Sequence, residues 1–112
     1  MKITNIAQVV SGPNPHHVDA RKVYDTENAI AVVITLQPGE FLKKHITPVD
    51  VFFYVLEGTG IVEIGDEKEV CSKDTLIESP ARIPHRWINE SNDIFRVLVV
   101  KVPKPVEETK LL

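Results

Sequence analysis

The chain has 112 residues, 43% of them apolar and 26% charged, which fits one globular domain with room for a core. Its formal net charge of −3 argues against general affinity for nucleic acid or anionic membrane, since both need basic surface. Cys71 is the only cysteine, so no disulfide forms within the chain; with no signal-peptide-like apolar run at the start, a cytoplasmic protein is expected.

Residues 1–24 carry no clean period, and 6–10 read as a short strand. Ser11-Gly12-Pro13-Asn14-Pro15 is a loop, because its prolines cannot donate to a ladder. His16 and His17 follow it. They read either as an exposed loop pair or as a pair folded over a pocket mouth. Residues 29–36 form the first strong strand and are closed by Gln37-Pro38-Gly39. Residues 41–45 read as a short polar strand. Residues 51–56 are apolar throughout and rich in β-branched and aromatic side chains, so they read as a strand buried on both faces. Tight turns at 57–60 and 65–68 separate it from strands at 61–64 and 69–71. Further strands are expected at 75–78, 86–89 and 94–102, and the Pro103-Lys104-Pro105 tail leaves the sheet. The predicted strands fill residues 28–102, with 1–27 as an arm with room for an edge strand and 103–112 as a loose tail or docking turn. No amphipathic helix is visible. Many short strands with turns between them make an all-β sandwich or barrel, and a small jelly roll fits this length best.

Two stretches each place a histidine just after a turn. In the first, Gly39 is followed after five residues by His45, and the stretch ends Phe53-Tyr54-Val55-Leu56-Glu57-Gly58. In the second, Pro80, His85 and Asn89 surround Ile83-Pro84-His85-Arg86. These residues and the spacing between them resemble the two motifs of the cupin family, in its small, conserved-barrel form. The resemblance implies a double-stranded β-helix with a pocket inside one end, and points to a homodimer. It also implies metal ligands at four positions, of which only His45 and His85 are kept. Thr47 and Val51 stand where the family has its second histidine and its glutamate. Asp74 and Arg82 stand where the second motif has glycines.

A transition metal prefers imidazole and carboxylate donors. Val51 offers no lone pair and Thr47 only a hydroxyl. Asp50 should face away from Val51 by strand alternation. The expected site is thus a degenerate one, holding a divalent transition metal weakly. The pocket is expected to be lined by His45, Thr47, Val51, Phe53, Val55, Arg82, His85 and Trp87, with Arg82 as a clamp for an acid. Core packing is the alternative for Trp87, and solvent exposure for Arg82. Glu63 and Glu78 could each face inward. Three functions stay open: a small-molecule binding module, which leads; a metal-dependent dioxygenase or sugar or keto-acid isomerase; and a metal-free acid–base isomerase or epimerase acting through His45 and His85.

Overall fold

A computed structural model describes residues 1–112. The chain order is β1 (Asp19–Asp25), β2 (Ile30–Leu36), β3 (His45–Ile46), β4 (Asp50–Glu57), β5 (Thr59–Ile64), β6 (Glu67–Ser72), β7 (Leu76–Ser79), β8 (His85–Ile88), β9 (Phe95–Val102) and β10 (Lys110–Leu111). The strands form two five-stranded sheets, in the orders β1-β2-β9-β4-β7 and β10-β3-β8-β5-β6. All named pairs are antiparallel. This is the double-stranded β-helix that the resemblance implies.

Strand alternation sets which residues enter the barrel. In β4, Val51, Phe53 and Val55 are buried, whereas Phe52, Tyr54 and Leu56 are half-buried on the outer face. The strand expected to be buried on both faces is fully buried on one and half-buried on the other: only one face of this sheet meets the core. Directly opposite residues of an antiparallel pair share a face. Phe53 pairs with Val99 and Val55 with Val97, so the inward row of β9 is Phe95, Val97, Val99 and then Lys101. From the second sheet Val62 and Trp87 meet this row, and the rings of Phe53, Trp87 and Phe95 pack in sequence. Gly60 allows the sheets to close there, since a Cβ would lie 2.6 Å from the Phe95 ring.

Several local expectations change. Residues 6–10 are not a strand: Ile6–Gln8 form a 3₁₀ turn capped by the Asn5 side chain, which accepts from the Ala7 N–H at 2.9 Å. The arm then supplies β1, whose polar sequence hides it because an edge strand pairs on one side only. Residues 41–45 yield ladder only at His45, with Phe41 as a lone bridge to Ile88. The tail does return to the barrel, where Lys110 and Leu111 pair with Ile46 and His45. Asp74 and Arg82 adopt φ of 67° and 65°, the left-handed geometry that the family serves with glycine.

Candidate functional site

One end of the barrel holds a cavity of about 440 Å³ between the N-terminal arm and the inward rows of β1, β2 and β9. Its walls are largely apolar, with Val32, Ile34, Leu42, Phe53 and Val99 facing Val9, Val10 and Val18 of the arm. Its polar points are His16, His45, Lys22, Lys101, Asn14 and Thr109, and none of the lining residues is an aspartate or glutamate. Volume and wall chemistry match a pocket for a small organic molecule.

The arm is shaped by Asn14. Its side-chain amide donates to the carbonyls of Gly12 and Val18, and its Oδ1 accepts from the amides of His16 and Val18. This holds His16 over the barrel, 4.9 Å from the His45 ring, while His17 stays exposed. Lys43 fixes both imidazoles through its own peptide groups. Its N–H donates to His16 Nδ1 at 2.8 Å, and its carbonyl accepts from His45 Nδ1 at 2.7 Å. Neutral His16 therefore carries its proton on Nε2, and neutral His45 has an Nε2 lone pair. One ring offers a donor and its neighbour an acceptor.

His85 lies deeper, 4.6 Å from His45 between ring centres, because the two residues are direct partners of β3 and β8. It is buried and held by hydroxyls, with Ser79 Oγ 2.7 Å from Nδ1 and Thr47 Oγ1 3.3 Å from Nε2. Burial, then the neighbouring His45 and Lys101 charges, pushes its pKa down to about 3. Burial chiefly, with the charges of His45, Lys43 and Lys101, brings His16 down to about 4. His45 is lowered by burial, partly opposed by its bond to the Lys43 carbonyl. All three rings are neutral at pH 7.

Lys101 continues the inward row of β9 and lines the cavity. None of the ion pairs in the molecule includes it. Its ammonium donates only to Thr109 Oγ1, at 3.5 Å. Burial, and then the charge of Lys22, lowers its pKa. Sequence reading passed over this residue, although it shares parity with Phe95, Val97 and Val99.

Of the eight residues expected in the pocket, the structure brings His45 and Phe53 to the cavity wall. Thr47 and His85 form the buried polar layer beneath. Val55 and Trp87 are fully buried in the core, and the Trp87 indole N–H has no partner. Val51 is buried and opens onto a separate shallow cleft beside Ser79 and Pro80. Arg82 stands outside: its side chain is 65% exposed, 3.6 Å from Glu107 of the tail. Glu63 also faces outward and receives Arg86 Nε at 2.7 Å, which holds its carboxyl below the usual range. Asp50 is exposed and accepts from the Ala81 amide. Asn89 is a loop clasp, donating to the carbonyls of Leu36 and Asp93.

The donor set does not fit a transition metal. His85 has both nitrogens engaged by hydroxyls, which leaves the Nε2 of His45 as the one free lone pair of the pair, and Thr47 and Val51 hold the positions where the cupin resemblance implies further ligands. No group of three or more His, Cys, Asp or Glu side chains is disposed to hold a metal ion.

A family model described as the cupin domain matches residues 32–101. An uncharacterized protein of Methanocaldococcus jannaschii is 28% identical over 81 residues, which cover 71% of this chain and 64% of that protein. The chain thus spans less than two thirds of that relative's length. A solved polyketide cyclase of Streptomyces resistomycificus superposes with a TM-score of 0.86 at 20% identity, covering 100% of this chain and 85% of the cyclase. An uncharacterized conserved protein with a double-stranded β-helix domain from Klebsiella pneumoniae gives 0.84 at 18% identity, covering 99% and 96%. Both are likenesses of fold.

Proposed function

The chain belongs to the cupin domain family, and within that barrel we propose that it binds a small, largely apolar organic molecule bearing one anionic oxygen group. The observation that carries this reading is Lys101: a cation on the wall of an apolar cavity that contains no carboxylate. Even a half-buried charge without a counter-ion is costly, and a ligand carboxylate or phenolate would supply one. His16 Nε2–H adds a donor for the same group, and His45 Nε2 an acceptor for a ligand hydroxyl. The acid clamp expected of Arg82 is thereby assigned to Lys101. Isothermal titration with benzoate, against neutral benzamide as control, tests the reading. Heat of binding for benzoate alone is the expected result; equal behaviour of the two, or none from either, contradicts it.

A second reading has one specific observation behind it. Two neutral imidazoles in opposite tautomers, side by side on the cavity wall, suit proton transfer on a bound ligand. Solvent-deuterium exchange into an enolisable aryl acid, lost on His45→Gln, is the outcome this reading expects. No exchange above the rate in buffer removes it.

A further inference from the structure

We propose that Lys101 captures carbonyl compounds covalently, its Nζ forming an imine with the carbon of an aldehyde or ketone seated in the cavity. This rests on the cavity being a ligand pocket, as read above, and adds a reaction that simple anion binding does not need. Three features of the site point to it. First, Lys101 stands half-buried on the inward row of β9, directly opposite the apolar Ile30 and Val51 and on the cavity wall, where its amine is partly stripped of water. Second, Lys22 shares the cavity, so a second cation opposes the first, while Lys22 itself is paired with Asp25 at 3.4 Å. Third, the only hydrogen-bond partner of the Lys101 amine is the Thr109 hydroxyl, at a long 3.5 Å. Desolvation and a neighbouring cation are the two means by which a lysine is kept as a free amine and made nucleophilic. The lowered pKa of Lys101 has these same two causes, burial first and Lys22 second.

The step balances without a cofactor. The Nζ lone pair adds to the carbonyl carbon, forming a C–N bond and moving the π electrons to oxygen. The resulting carbinolamine loses that oxygen as water, taking two protons that the amine carried, and a C=N bond remains. Proton carriers stand close by: His16 and His45 line the same cavity as Lys101. The two states of Lys101 then serve two ligand types. The ammonium pairs with a carboxylate; the free amine adds to a carbonyl.

The test uses 4-formylbenzoate, which combines an apolar ring, a carboxylate and an aldehyde, with sodium cyanoborohydride to reduce the imine to a stable amine. The full chain is treated at neutral pH, digested and mapped by mass spectrometry over time. Lys101 is expected to be modified first and to completion, before any of the exposed lysines or the N-terminus, with excess benzoate slowing it. Lys101→Arg, which keeps the charge, should abolish the fast phase; its melting curve checks folding, and benzoate competition on the unmodified chain stands independently of that variant. Labelling that spreads over the exposed amines with Lys101 untouched overturns the proposal. If that occurs while benzoate still raises the melting temperature, covalent capture fails and the binding pocket survives. If Lys101 is labelled and benzoate alone does not stabilise the protein, capture stands and the anion reading falls.

Discussion

Replacing Lys101 by methionine should make the protein more stable and disarm its pocket at once. Methionine keeps a straight side chain of similar reach, so the apolar stem of Lys101 on the β9 row is retained while the charge is removed. A polar group taken from water without adequate partners costs about 1–3 kcal/mol. Lys101 is only partly buried and has one long hydrogen bond, which places the gain on its removal near the low end, about 1 kcal/mol. That corresponds to a rise in melting temperature of about 4 °C for a domain of this size. Binding moves the other way. A hydrogen bond to a charged group contributes about 1.5–3 kcal/mol, so benzoate affinity should fall roughly tenfold to a hundredfold. Urea unfolding followed by Trp87 fluorescence and titration calorimetry measure the two effects on the same preparation. A variant less stable than the parent, or one that keeps its benzoate affinity, refutes the assignment of Lys101 as an unpaired cation facing a ligand.

Acidification should weaken the fold: the unfolded chain binds a proton at His85 below the ordinary 6.5 while the folded chain does not until about 3. Stability is then unaffected by this group above pH 6.5 and lost as pH falls toward 3, by about 2 kcal/mol at pH 5; His16 adds in the same direction. Urea midpoints at pH 7.5 and 5, and a shallower pH slope in His85→Gln, check this. Arg82→Gly should raise stability by about 0.5–1 kcal/mol, because it relieves a left-handed residue and gives up only an exposed ion pair. It should leave benzoate binding unchanged, and a loss of binding would return Arg82 to the pocket. Thr47→His combined with Val51→Glu restores the donor set implied by the family, so divalent-metal affinity should rise sharply over that of the parent chain; equal metal content by elemental analysis would contradict the reading of a degenerate site.

The fold was legible because two kinds of signal agreed. Continuous apolar runs rich in β-branched residues marked β2, β4 and β9, and the resemblance of Gly39, His45, Gly58, Pro80, His85 and Asn89 to the cupin motifs implied the barrel they belong to. The register then set His45 directly opposite His85, as two motif histidines at one barrel mouth require. Asp74 and Arg82 looked like departures from the motif, yet the backbone keeps the glycine geometry at both. Residue identity changed there without a change of path. Other features were hidden for definite reasons. An edge strand such as β1 carries no alternation to read, and a two-residue strand such as β10 is too short to have a period. Strand parity puts Trp87 on one face with His85 and Asn89, all three buried, but parity gives a face and not a depth, and Trp87 is fully buried in the core. Lys101 shares parity with Phe95, Val97 and Val99, but a lone charge at the end of an apolar run, next to the Pro103-Lys104-Pro105 tail, carries no motif that singles it out. His16 came to the site through Asn14 and Lys43, contacts made by a loop whose shape no periodicity encodes.

Titration of Lys101 itself tests the account most directly. With lysine labelled at Cε, heteronuclear NMR can follow this one amine, assigned by its absence in Lys101→Met, with and without saturating benzoate. A pKa below the ordinary lysine value of 10.5 in the free protein, with a clear rise when the carboxylate is bound, is the expected result. An amine that titrates normally in the free protein and ignores benzoate would contradict it.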